Sequence, residues 1–106
     1  MSRASYERYE LEWRGILIAV RYCPNWSEAH AQIMGHPVAH LEIETIEPAH
    51  VPLPLTSTGY RSHFVDACEV KSAGDPATYI LEALEMAAAN KSWQERELAA
   101  RQYALL

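Results

Sequence analysis

The sequence predicts an α+β domain. It reads as a small antiparallel sheet of about four strands, a β-hairpin first, with C-terminal helices packed on one face. Three observations predict it. Residues 7–22, ERYELEWRGILIAVRY, alternate apolar and polar side chains with period two. Residues 39–46, AHLEIETI, alternate in the same way. From Asp75 onward the pattern becomes helical, with Ile80, Leu84, Ala87 and Ala88 on one stripe. Strands that precede helices, each with one apolar face, meet most simply as a sheet with a helix laid across it.

Within 7–22, Tyr9, Leu11 and Trp13 share one parity, and Ile16, Ile18, Val20 and Tyr22 the other. The phase flips at Arg14-Gly15. A flip requires a tight turn or a bulge, and glycine permits either. A hairpin is the first reading and one long bent strand the second. Pro24 ends the second strand. Residues 27–35, SEAHAQIMG, are compatible with a short helix, Ser27 at its N-cap and Gly35 just past its end. In 39–46, Ala39, Leu41 and Ile43 should face inward, and His40, Glu42 and Glu44 should form an acidic outer face. The proline-rich stretch 48–54 cannot be a central strand and reads as an extended loop. Tyr60 to Val65 pairs as a further strand. Asp75-Pro76 is a strong helix start, with Asp at the N-cap and Pro at the first helical position. Asn90 is placed to end that helix, and Ser92-Trp93-Gln94-Glu95 has the capping-box pattern that opens another.

The totals set bounds. The 106 residues suit one domain, 1–106, with a single core. A net charge of −5 argues against direct binding to nucleic acid, which needs clustered Lys and Arg to neutralise phosphates. No stretch reaches the length of a membrane span, and MSRASYERYELEWR has no apolar leader, so the expected location is the cytoplasm. Cys23 and Cys68 match no CxxC pattern and are expected to be reduced, buried thiols.

Chemistry-bearing patterns are few. His36 and His40 are four apart, but Pro37 forbids the helix that would aim both at one metal. No metal and no cofactor are expected. There is no nucleophile elbow, no glycine-rich phosphate loop and no HExxH motif, and the chain reads as a non-enzyme. The densest polar segment is PLPLTSTGYRSHF, residues 52–64. Thr56, Ser57 and Thr58 supply hydroxyls, Arg61 a planar fork suited to carboxylate or phosphate, and Tyr60 an interface anchor. On a strand, Tyr60 and Ser62 face one way and Arg61 and His63 the other. The plainer alternative has Tyr60, Ser62 and Phe64 covering the core edge while Arg61 pairs with Glu42 and Glu44. The tail RQYALL, with Gln102, Tyr103, Leu105 and Leu106, is similar to the bacterial sliding-clamp-binding pentapeptide, although Tyr103 and Leu106 stand where that motif usually has Leu and Phe.

The segments WRGILIAVRYCPNW, AHLEIETIEP and PLPLTSTGYRSHF together resemble a family of short proteins carried on plasmids, integrative elements and prophages of proteobacteria. The resemblance covers about two thirds of the chain and implies a genomic setting, that of a mobile-element accessory protein; it transfers no activity and no catalytic residues. The expected function is therefore protein binding, as an inhibitor of a host defence system (restriction or CRISPR) or a regulator of element transfer. The expected contact residues are Thr56, Thr58, Tyr60, Arg61, Ser62 and His63, with Glu42, Glu44 and Trp26. A small enzyme or metal protein using His40, His63 and Arg61 is the alternative, and clamp binding through the tail a further one. Exposed sheet edges also admit a homodimer.

Overall fold

The computed structural model describes residues 5–104, with side chains through residue 99. The predicted class is what it shows. Strands β1 (Glu7–Trp13), β2 (Ile16–Cys23), β3 (Val38–Glu47) and β4 (Tyr60–Asp66) form one antiparallel sheet in the order β1-β2-β3-β4. Helix α1 (Glu28–Met34) connects β2 to β3, and α2 (Ala67–Ala73), α3 (Pro76–Ala88) and α4 (Lys91–Ala104) follow the sheet. No helix among the described residues is long and apolar enough to cross a membrane.

The hairpin reading of residues 7–22 is correct. Trp13 pairs with Ile16 across a two-residue loop, Arg14-Gly15, in which both residues have positive φ (50° and 80°). That is the type I′ geometry whose twist matches a β-hairpin, and glycine occupies one of its two demanding positions. The two parities of the sequence then fall on one face. Leu11 and Trp13 of β1, Ile18, Val20 and Tyr22 of β2, Ala39, Leu41 and Ile43 of β3 and Val65 of β4 all enter the core. Helix α3 covers this face with Ile80, Leu84 and Ala88. Complete burial of aliphatic side chains such as Ile80 and Leu84 contributes roughly 1.5–3 kcal/mol each. Trp13 ties hairpin to helix a second time, its indole N–H donating to Glu85 Oε1 at 2.7 Å.

Asp75 is the N-cap of α3, its side chain accepting from the Thr78 N–H at 2.7 Å, with Pro76 beside it. Those backbone bonds hold its carboxyl below the usual carboxylate range.

Two helix boundaries differ from expectation. Asn90 does not end α3 in a left-handed turn: Ala89 closes it in ordinary right-handed geometry. Asn90 instead starts α4, its Oδ1 accepting from the Ser92 N–H (2.8 Å) and its carbonyl from the Gln94 N–H (3.2 Å). A short side-chain amide serves either end of a helix, and here the donors of the following turn take it. The sequence reading also lacked α2. Asp66 ends β4 and at once caps α2, accepting from the Cys68 N–H at 2.8 Å. As a result Cys68, near the start of α2, is exposed rather than buried, while Cys23 is buried as expected.

Candidate functional site

The segment 52–64 divides its side chains between two faces. The pairs Glu44 with Tyr60, Glu42 with Ser62 and His40 with Phe64 place those six residues on the face opposite α3, here the outer face. Arg61 and His63 pair with Ile43 and Leu41, which belong to the core, so they lie on the helix side. Arg61 therefore does not meet Glu42 or Glu44. Its guanidinium donates to the Leu55 carbonyl at 3.1 Å, and Glu42 accepts from Arg21 instead, at 3.1 Å. The enzyme or metal reading that joined His40, His63 and Arg61 loses its geometry, because His40 projects from the opposite face. No group of three or more metal-ligating side chains occurs among the described residues.

The threonines work locally. Thr56 Oγ1 and Thr58 Oγ1 both donate to the Tyr60 carbonyl, at 2.7 and 3.2 Å. Upstream, Leu53 and Thr56 exchange backbone bonds of 2.8 and 3.1 Å, which seats Leu53 in the core. Gly59 runs at φ 78° close against Thr45 and His50, and its carbonyl accepts from the Thr45 N–H at 2.8 Å.

His40 is the largest departure from expectation on the outer face. It was expected to be solvated, but only 7 % of its surface is exposed. Its Nδ1 lies 2.6 Å from the Tyr6 hydroxyl and its Nε2 2.6 Å from Ser62 Oγ. One ring nitrogen can donate while the other accepts, so the Tyr6 and Ser62 hydroxyls satisfy both. Burial, followed by the charges of Cys23 and Glu42, raises the Tyr6 phenol above its usual range. The Phe64 ring packs 4.7 Å from the imidazole, and Trp26 meets Phe64 edge-on at 4.9 Å. Trp26 is positioned by its own N–H, which donates to the Val38 carbonyl at 3.0 Å, just before α1.

The outer face thus carries a polar relay, Tyr6–His40–Ser62, buried at its central histidine, beside an exposed aromatic strip. Trp26, Tyr60 and Phe64 are 42, 48 and 50 % exposed, values high enough for each ring to reach a partner directly. Glu44 is exposed beside them and Glu42 partly so. Phe64 and Tyr6 were missing from the predicted contact set. The parity that Phe64 shares with Tyr60 was the available signal for it; for Tyr6, 34 residues from His40, the sequence offered none.

On the helix side, Arg61 and His63 line a cavity of about 110 Å³ with Leu55, Tyr79 and Ala83. Burial, with the Arg61 charge second, lowers the His63 pKa below its ordinary 6.5. A histidine whose pKa is lowered on folding contributes stability above pH 6.5, and loses it as the pH falls through that value toward the lower folded pKa. His63→Gln is expected to flatten the melting temperature against pH in that interval. A melting-temperature slope unchanged by the substitution would show that folding does not shift the titration of His63.

These features define a class, a small sheet-and-helix domain that presents an aromatic and acidic outer face. Residues 6–93 match the family model described as the KlcB third domain, and the chain belongs to that family. KlcB is plasmid-borne, in keeping with the mobile-element setting implied by the sequence. No curated protein and no solved structure matches the chain. Of the tail motif, Leu105 and Leu106 and the side chains of Gln102 and Tyr103 lie outside the described residues.

Proposed function

We propose that this KlcB-family domain is a protein-binding module of a mobile element, acting through the outer face of β3 and β4. The observation that carries the reading is the coincidence on one face of three exposed aromatic rings, Trp26, Tyr60 and Phe64, with Glu42 and Glu44. Tyrosine and tryptophan are the residues that dominate interface energetics, and flanking carboxylates favour a partner whose own surface is basic around an apolar centre. Inhibition of a host restriction or CRISPR component, or regulation of element transfer, are the roles this surface would serve. An acidic face on a chain of net charge −5 disfavours nucleic acid as the direct ligand. The Tyr6–His40–Ser62 relay supports the face from beneath: it fixes the floor on which Phe64 rests.

Affinity capture from a proteobacterial lysate, read by mass spectrometry, tests this. Trp26→Ala and Tyr60→Ala should each weaken the main partner by about 2 kcal/mol, roughly 30-fold, with little change in melting temperature. Arg61→Ala, on the other face, should retain it. Loss of the partner in Arg61→Ala with retention in both aromatic variants would move the site to the helix side.

A further inference from the structure

The sheet has two edges, β1 and β4, and they are built differently. Strand β1 carries Glu7, Arg8, Glu10 and Glu12 in seven residues, all exposed. Three carboxylates along one strand repel a second copy laid against it, which is how natural edges are kept from pairing. Strand β4 has only Arg61 and Asp66, and both are engaged elsewhere, at the Leu55 carbonyl and at the start of α2. Its side chains from Tyr60 through Phe64 are exposed.

The phase of β4 follows from one bond. The Thr45 N–H to Gly59 carbonyl contact makes 45 and 59 a hydrogen-bonded pair, so Arg61, His63 and Val65 also turn their backbone groups toward β3. Tyr60, Ser62 and Phe64 turn theirs outward. The Tyr60 carbonyl is already taken by Thr56 and Thr58. Asp66, the next outward residue, is committed to the start of α2, so along the body of the strand the open groups are the N–H and C=O of Ser62 and of Phe64.

We infer that β4 pairs with β4 of a second copy, antiparallel, about a two-fold axis at His63. The register is dictated by the groups left open. Ser62 of each copy faces Phe64 of the other, and the two pairs satisfy both donors and both acceptors of each chain. A register centred on Ser62 would instead need the occupied Tyr60 groups. In the His63 register the axis runs perpendicular to the sheet, so both outer faces point the same way and the sheets join into one of eight strands. The two Phe64 rings become diagonal neighbours, about 7–8 Å apart at the backbone, and the aromatic strip runs across the axis from Trp26 of one copy to Trp26 of the other. His63 faces its own equivalent in a non-hydrogen-bonded pair, where Cα atoms approach to about 4.5 Å, within the range a disulfide bridges.

The inference does not depend on the proposed partner-binding role, and its test is separate. Sedimentation equilibrium should give twice the 12.0 kDa chain mass. Phe64→Lys and Ser62→Pro should each be monomeric and still melt cooperatively, since a proline is tolerated where the N–H faces away from the sheet. In a Cys68→Ser background, His63→Cys should oxidise to a cross-linked dimer while Arg61→Cys, which faces Val65 across the axis, should not. Trp26→Ala, away from the edge, should remain dimeric even where it loses the lysate partner. A wild-type chain that sediments as a monomer at high micromolar concentration would overturn the inference. So would a dimer that survives Phe64→Lys, or one in which Arg61→Cys cross-links as well as His63→Cys.

Discussion

Gly59→Ala is expected to destabilise the fold by roughly 2–4 kcal/mol, a large effect for one added methyl group. Two costs coincide at this position. The backbone sits at φ 78°, where an L side chain is strained by about 1–2 kcal/mol. An added Cβ would also collide with Thr45 Oγ1 and lie 3.0 Å from the backbone of His50. Thr45 is 97 % buried, so its side chain has little room to retreat. The control is Gly35→Ala, which has a similar φ of 80° but open space around the new methyl group. Thermal melts should place Gly35→Ala near the backbone strain alone and Gly59→Ala well below it. Equal melting temperatures for the two would mean that the chain at 45 and 50 yields easily, and that the approach of the 48–59 loop to β3 is not a fixed feature.

Leu53→Ala should cost about 2–5 kcal/mol, the range for aliphatic truncation in a closed core. The position lies in what the sequence presents as a proline loop, yet only 1 % of its surface is exposed. The reciprocal backbone bonds with Thr56 hold a short reversal that drives Leu53 inward between two prolines. Leu55, half-buried at the edge of the Arg61–His63 cavity, should lose much less on the same change. Urea denaturation of the two variants separates them. A loss under 1 kcal/mol at Leu53 would mean that the loop can lift away and the core reseal.

The sheet was legible because its physics is local. Period-two alternation states which residues share a face, and Arg14-Gly15 marked the single place where the parity changed. Asp75-Pro76 announced α3 for the same reason, since a cap acts on the next turn of its own chain. One class of failure depended on a distant segment. His40 has the parity of an outward residue, and the alternation gave no hint that Tyr6 and Phe64 would close over it. Arg61 was assigned to acidic neighbours by charge, although the period-two rule already placed it on the other face. Helix α2 carried a readable sign, Asp66 with Glu69 three residues on and Gly74 beyond, but the strand ending at Asp66 masked it. Of the candidate site, Tyr60, Ser62, Glu42, Glu44 and Trp26 do gather on one surface; Arg61 and His63 do not, and Thr56 and Thr58 spend their hydroxyls on the Tyr60 carbonyl.

Helix α1 buries none of its residues, and Ile33 and Met34 stand 83 and 52 % exposed. It is held by the Ser27 and Gly35 caps at its own ends, and a seven-residue helix has little intrinsic stability in water. Its opening is therefore expected to be separable from global unfolding, since no core contact of the sheet or α3 is lost when it unwinds. Because Trp26 sits at its root, the aromatic strip has one border fixed to the β-scaffold and one border able to reshape. A ligand docking there would meet a rigid anchor at Phe64 and a deformable rim at α1. Affinity could then be traded against breadth of recognition by altering the helix propensity of residues 28–34, without touching a single core side chain.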